Sequence, residues 1–404
     1  MTRTREAVVI GGGYAGVVAA NRLSTSAELS VTLINPRPDF VERIRLHQRA
    51  TGSYGATVPY ADVLAPSIRL TVDSVTRIDA PSRSLVLDSG TVARYDHLVY
   101  AVGSHAATPE VPGAAEHAIA LSTLEQADDL RVALSAVPTR APVTVVGGGS
   151  TGIEIAAELA ELGRPVTLLA GDRLAPSLHP AARATVVRQL DRLGATVLAG
   201  AGARAAAVDT GGVRLADGRE LPSALTVWTA GFGVPDLARR SGLRTDHLGR
   251  LVTDETLTSL DDERIVAAGD CAAPSGMPYR MCCAAAQPLG AQAADTVLRR
   301  IAGDAPRGRS LAIPGQCLSL GRRAGVLQFA RRDDTALPAH LGGRLGAGLK
   351  EAVTAGTLVG LRTMSRRPGI IGALGLLQDP RRAGRLAAAS TDLAPVQDRP
   401  SLAD

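Results

Sequence analysis

Two six-residue runs carry the residue types that let a backbone close around phosphate. Gly11-Gly12-Gly13-Tyr14-Ala15-Gly16 and Gly147-Gly148-Gly149-Ser150-Thr151-Gly152 share the spacing G-x-G-x-x-G. Gly11 and Gly147 permit a tight turn, and Gly13 and Gly149 let the chain approach a pyrophosphate. Gly16 and Gly152 let a helix sit close on its strand. A helix that starts there aims free N–H groups and a positive dipole end at the phosphates. Glu154 lies two residues past Gly152, a titratable group at the start of the second helix. Sulfur chemistry has less to work with. The four cysteines are Cys271, Cys282, Cys283 and Cys317, and residues 1–270 contain none. The vicinal Cys282-Cys283 pair and Cys271 read as small, soft core residues. No His/Cys cluster has metal-ligand spacing.

The elements that must position these groups repeat. Val8-Val9-Ile10 precedes the first loop and Thr144-Val145-Val146 the second. An Ala-rich helical stretch follows each, then a second strand, Val31-Thr32-Leu33-Ile34 or Val166-Thr167-Leu168-Leu169. A whole βαβ unit is therefore used twice, which predicts two dinucleotide sites. The usual pair is a flavin and a nicotinamide. Strands His97–Tyr100 and Thr226–Thr229 run into Ala101-Val102-Gly103 and Ala230-Gly231, turns that fit a close nucleotide. Arg264–Ala268 is a buried strand that ends in Gly269-Asp270, and a helix follows from about Ala284 to Ile301. From about Arg307 come strand-like Gln316–Leu320 and Gly325–Phe329, helical Arg-flanked segments, and a polar tail after Ala388. Leu341, Leu345, Leu349, Ala352, Val353 and Val359 recur at helical spacing, but six interspersed glycines weaken that helix.

The chain has 404 residues, 45% of them apolar, enough for two to four domains with real cores. No apolar run approaches the ~18 residues of a membrane-spanning helix. Aromatic residues are only 2%, against stacking platforms for single-stranded nucleic acid. Four cysteines are too few for a disulfide scaffold, and Ala7–Ile10 reads as a first strand rather than a leader. An intracellular, reducing compartment is expected. Between Arg299 and Arg385 there are 16 basic and 5 acidic residues, although the whole chain carries only +5. That basic third, and the short run Gly369–Leu377 between arginines, suit an anionic or lipid surface. Lys350 is the only lysine.

In order and spacing, Gly11–Gly16, Ala101–Gly103, Gly147–Gly152, Ala230-Gly231 and Gly269-Asp270 resemble the two-dinucleotide-binding flavoproteins, the pyridine nucleotide–disulfide oxidoreductase superfamily. Ser150–Glu154, Trp228–Phe232, Leu318–Gly325 and the basic C-terminus resemble its type II NADH dehydrogenase-like branch. The resemblance implies an α/β fold with two Rossmann-like domains and a C-terminal α+β domain. Residues 1–112 and 247–306 would form the FAD domain, 113–246 an inserted NAD(P) domain, and 307–404 a membrane-contact domain with a polar tail. FAD would meet Gly11, Gly13, Tyr14, Ala15, Gly16, Asn35, Arg43, Ala101, Gly103, Gly269, Asp270 and Gln287. NAD(P)H would meet Gly147, Gly149, Ser150, Thr151, Gly152, Arg173, Ala230 and Gly231. Glu154 and Gln287 are the expected catalytic residues, and the helix starting near Ala286 would face the flavin N1–O2 edge.

The departures shape the expectations. Asn35 stands where an acid is usual after the first unit's second strand; Ala170 stands there in the second unit, followed by Gly171, Asp172 and Arg173. NADPH should therefore be accepted at least as well as NADH. Ala286-Gln287 is followed by Gln292, five residues on rather than four. His47, after Arg43 and Arg45, reads as structural. The disulfide-reducing route lacks its early cysteine pair. The resulting expectation is a FAD-dependent NAD(P)H dehydrogenase with a quinone-like acceptor and no metal. It would be cytoplasmic and peripheral on the inner membrane face, with a second copy of the chain as partner. The rivals are a soluble reductase or oxidase acting on a small molecule or ferredoxin-like partner, and a redox-sensing or nucleic-acid-binding flavoprotein.

Overall fold

The computed structural model describes residues 4–370 and 377–392. Two parallel sheets organise the molecule. In the first, strands lie in the order Ile265–Ala267, His97–Tyr100, Arg5–Ile10, Leu29–Asn35, Arg69–Val72. In the second the order is Ala118–Ala120, Leu225–Trp228, Val143–Val146, Val166–Leu169, Thr196–Leu198. Their central strands are near-continuous apolar runs because both faces are covered, one by helices and the other by a three-stranded antiparallel sheet, residues 75–94 in the first unit and 205–222 in the second. Each glycine loop leaves the central strand of its sheet. There the next strands fall on opposite sides, so a crevice opens at the carboxyl ends.

The two units match residue for residue. The amide of Gly11 donates to the Ile34 carbonyl, and that of Gly147 to the Leu169 carbonyl. The helix Tyr14–Leu23 buries every residue but Arg22. It crosses the helix Cys283–Ile301 so closely that a Cβ on Gly290 would collide with the Ala15 carbonyl. The second helix, Ser150–Glu161, is amphipathic and buries Gly152 through Ala160.

The C-terminal part is an antiparallel sheet of Gly315–Ser319, Gly325–Ala330 and Ala336–Gly342, followed by a helix over Gly343–Arg366. The sequence reading underrated that helix. Its internal glycines each cost about 1 kcal/mol relative to Ala, yet the helix runs unbroken for 24 residues. Packing overrides propensity here. Gly346 lies against the Gly325 carbonyl with no room for a side chain, and Leu361 and Met364 join the first unit's core. Leu341 belongs to the preceding strand, not to the helix. The strand Ala336–Gly342 escaped detection because Pro338 interrupts it and its two faces are both half-exposed. Part of the Gly369–Leu377 run and the tail beyond Asp392 lie outside the described residues.

Candidate functional site

Whether a dinucleotide fits can be tested at Gly13 and Gly149. Each caps its helix in extended geometry, and a Cβ built on either meets nothing within 4 Å. Both loops therefore present an open cradle on their ligand side and tight packing on their protein side. Ser150 is exposed and Thr151 half-exposed at the second helix start. Tyr14, by contrast, turns inward and meets the Phe40 ring edge-on at 5.1 Å.

Around the first loop, Asn35 accepts from the Gly12 amide at 2.9 Å and donates to the Arg37 carbonyl at 3.0 Å. The Tyr60 hydroxyl donates to the Gly12 carbonyl at 2.8 Å. Three separate segments converge beside it. Arg43 donates to the Ser104 hydroxyl at 3.1 Å, and that hydroxyl donates to Asp270 at 2.7 Å. Arg43 also stands 3.7 Å from Asp270. Ser104, which the sequence reading did not single out, is the hinge of this trio; its position directly after Gly103 was the available signal. At the second loop, Thr229 donates to the Val146 carbonyl at 2.9 Å, and the Trp228 indole to the Ala230 carbonyl at 2.9 Å. Gly103, Gly231 and Gly269 all have positive φ, the left-handed backbone that glycine adopts at no steric cost in such strand-end turns.

Gln287 is not a helix start. The helix begins at Cys283, so Gln287 sits one turn in, half-buried. Gln292 donates to the Glu255 carbonyl at 2.7 Å and is buried as a structural residue. Cys271 is fully buried, and its thiol lies 3.5 Å from the Tyr100 carbonyl. Burial pushes the Cys283 thiol up to about 12, so it is a neutral group. All four cysteines are free thiols.

Glu154 is the centre of a buried ionic seam that joins distant parts of the chain. Lys350, on the C-terminal helix, stands 3.0 Å from Glu154 Oε1. The Ser319 amide donates to the same oxygen at 2.9 Å. His47 Nδ1 is 3.8 Å from Oε2, and His47 Nε2 is 3.2 Å from the Ser319 hydroxyl. Burial alone would raise the Glu154 carboxyl; the Lys350 ammonium, His47 and the Ser319 amide outweigh it and hold the group below its ordinary value. Burial would lower Lys350, and the Glu154 charge raises it instead. His47 is pushed down to about 4 by burial, with Glu154 opposing, and is neutral. One turn along the same helix, Glu158 pairs with Arg322 and Glu161 accepts from the Arg322 amide. Arg45, nearby, pairs with Glu351 at 2.5 Å and stacks on Tyr54. Lys350 was visible in the sequence as the lone lysine, but nothing local tied it to a residue almost two hundred positions away.

Residues 5–291 match the family described as pyridine nucleotide-disulphide oxidoreductase. An NADH dehydrogenase-like protein from Mycobacterium tuberculosis is 34% identical over 302 residues, covering 68% of this chain and 73% of that protein. A type II NADH:quinone oxidoreductase from Haemophilus influenzae is 27% identical over 329 residues, covering 67% and 74%. The crystal structure of the sulfide:quinone oxidoreductase from Aquifex aeolicus superposes with a TM-score of 0.75 at 20% identity, covering 89% and 92%, and shares the fold.

Proposed function

The chain belongs to the pyridine nucleotide-disulphide oxidoreductase family and is a FAD-dependent NAD(P)H oxidoreductase, and on that premise we propose that it delivers reducing equivalents to a quinone-class acceptor at a lipid surface. The observation that carries the reading is the pair of open glycine cradles at Gly13 and Gly149, each at the carboxyl end of its own parallel sheet. When bound, the flavin supplies a ring that accepts hydride from a nicotinamide and releases electrons onward. The first cradle with Asn35, Arg43 and Asp270 holds FAD in this reading. The second, with Ser150, Thr151, Ala230, Gly231 and Arg173, receives NADH or NADPH. The division into a two-piece FAD domain, an inserted NAD(P) domain and a C-terminal domain is part of the same reading.

The seam fixes a charge pair at the start of the second cradle's helix. Lys350 keeps its ammonium against Glu154 Oε1 although burial alone would lower it. The same contact holds Glu154 as a carboxylate, paired rather than poised to take up a proton. The acceptor is argued from the C-terminal helix. Leu345, Leu349 and Val353 repeat every four residues and are exposed, Leu345 by 72%, with Arg344, Arg366 and Arg367 exposed at its ends. An apolar stripe with arginines at its ends lies naturally in a lipid interface, where quinones dissolve. Among the described residues no helix is long and apolar enough to cross a membrane.

The test mixes the yellow, FAD-loaded protein anaerobically with NADH or NADPH, then with a ubiquinone analogue or a ferredoxin. Bleaching by the coenzyme and recovery with the quinone is expected, together with flotation on anionic vesicles. Recovery with ferredoxin alone, and no vesicle binding, overturns the acceptor and the surface together.

A further inference from the structure

Residues 377–392 lie against the body of the molecule, and neither the cradles nor the seam draws on them. The chain returns along residues 310–312. The Ala312 amide donates to the Leu377 carbonyl at 3.1 Å, and the Asp379 amide to the Ser310 carbonyl at 3.0 Å. Asp379 is buried, and its carboxylate accepts from the Arg381 amide at 2.9 Å and from Arg385 at 2.6 Å. That turn drives Arg382 inward until only 2% of its side chain is exposed. Glu255, just after the strand Leu251–Thr253, accepts from Arg382 twice, at 2.7 and 2.9 Å. The carbonyls of Pro274 and Met277 accept from its Nη2 at 3.2 and 2.9 Å. The guanidinium also stacks on the Tyr279 ring, 4.2 Å from its centre, and the Tyr279 hydroxyl accepts from the Leu311 amide at 2.9 Å.

These partners share one neighbourhood. Residues 275–282 link the strand Ala272–Pro274, which follows Gly269-Asp270, to the helix Cys283–Ile301. They contain no helix or strand and are exposed or half-buried, and Ser275 and Gly276 both take left-handed backbone. The Glu255 carbonyl accepts from Gln292 on that same helix at 2.7 Å, so Arg382 spans loop and helix together. At the other end of the loop, Arg280 pairs with Asp334 at 2.8 and 2.9 Å and donates to Gln316 at 2.8 Å. Two arginines, one reaching in and one reaching out, tie the loop to the C-terminal part. A charge taken this far out of water is costly unless its donors are matched. Here the matching is with one loop and the turn beside it, so the residue secures the position of that loop.

We propose that Arg382 is a positioning residue for the flavin: with residues 377–385 it latches the loop 275–282, and through it the start of the helix Cys283–Ile301, beside the first cradle. The inference rests on the reading of Gly11–Gly16 as the FAD cradle. The latch lies outside residues 5–291, which match the family. While it is closed, Asp270 and the helix start keep one separation, and the positive end of the helix favours the negative charge of a reduced flavin. When it opens, both drift. Oxidised FAD is then held less tightly, and the reduced form loses more.

The FAD-loaded wild type is compared with Arg382→Met, Arg382→Lys and Arg22→Gln. Arg22 pairs with Asp295 on the same helix at 2.8 Å but bonds no residue of the loop, so it controls for general loosening. Flavin fluorescence after dilution follows FAD release, equilibration with a reference dye gives the midpoint potential, and circular dichroism gives the melting temperature. Arg382→Met should release FAD about tenfold faster. It should also lower the midpoint by about 15 mV, a roughly threefold loss of reduced relative to oxidised flavin in a two-electron couple. Arg382→Lys keeps the charge but cannot reach Glu255 and both carbonyls at once. It should fall between the two, and it carries the test if Arg382→Met does not fold. Arg22→Gln should lower the melting temperature and keep the wild-type FAD release and potential. KM for NADH should be the same in all four proteins, because the second cradle is untouched. Arg382 variants that melt earlier yet hold FAD at the wild-type rate and potential overturn the latch and leave the FAD reading standing. An Arg22→Gln protein that sheds FAD as fast as Arg382→Met reduces the effect to general loosening and overturns it as well. A wild type that neither purifies with FAD nor takes it up overturns the FAD reading and the latch together.

Discussion

The two glycine loops have one spacing and very different surroundings. The first is closed in by its own unit: Asn35 and Tyr60 tie down Gly12, and its helix packs on the helix Cys283–Ile301 through an apolar contact so close at Gly290 that no side chain fits, with one ion pair, Arg22 to Asp295, beside it. The second is bare at the matching point, where Ala170 has no polar side chain, and its helix adds charges to its apolar packing, Glu154 to Lys350 and Glu158 to Arg322. Apolar sealing is insensitive to pH and salt, whereas a buried ionic seam is not. The contrast fits a resident cofactor in the first unit and an exchanging co-substrate in the second.

The largest effects should come from filling the cradles. Gly13→Val should give a colourless protein, because the side chain occupies the space the pyrophosphate needs. Gly149→Val should stay yellow, with KM for the coenzyme raised at least about 100-fold. Colour and steady-state kinetics read both, and a yellow Gly13→Val protein would erase the distinction. Next in size is Lys350→Met, which leaves Glu154 buried without its cation and should cost about 3 kcal/mol of stability. Adding Glu154→Gln should restore most of the lost melting temperature; the corresponding small-residue contact at Gly290 offers no such rescue.

The seam should also make stability depend on pH. His47 is neutral when folded at a value near 4 and titrates near 6.5 when unfolded, so the unfolded chain binds more protons between those limits. Stability is therefore full above about pH 6.5 and declines as pH falls toward 4, by about 2 kcal/mol from pH 7 to 5. Glu154, held low in the fold, acts in the same direction at lower pH. Denaturant midpoints at the two pH values measure this, and His47→Gln should flatten the slope. Smaller still, Asn35→Ala should weaken FAD about tenfold by leaving the Gly12 amide without its acceptor. Least of all, the double variant Cys282→Ser/Cys283→Ser should reduce its flavin within about twofold of the wild-type rate. Stopped-flow absorbance would show it, and loss of flavin reduction in a folded, FAD-loaded variant would make the pair catalytic.

What could be read from the residues alone was what is local. The βαβ repeats, the X-Gly strand ends and Gly269-Asp270 each announce themselves within a few positions. The seam does not, because His47, Glu154, Ser319 and Lys350 come from four segments that only the fold brings together. The C-terminal helix was misjudged for a related reason. Gly346 looks like a breaker until the strand it must touch is known. The helix from about Ala284 was placed within a residue of its start at Cys283, but the end expected to face the flavin was put near Ala286 and Gln287, about a turn inside it, because Cys282 has no capping side chain to betray the true start.

A single lysine with only 12% of its side chain exposed has a practical consequence. Apart from the chain's terminus, amine-reactive reagents have one target, and the fold hides it. Acylation of Lys350 can then proceed only when the C-terminal helix lifts from Glu154, so its rate times that local opening. The chain carries its own clock for the detachment of one helix, with no introduced label.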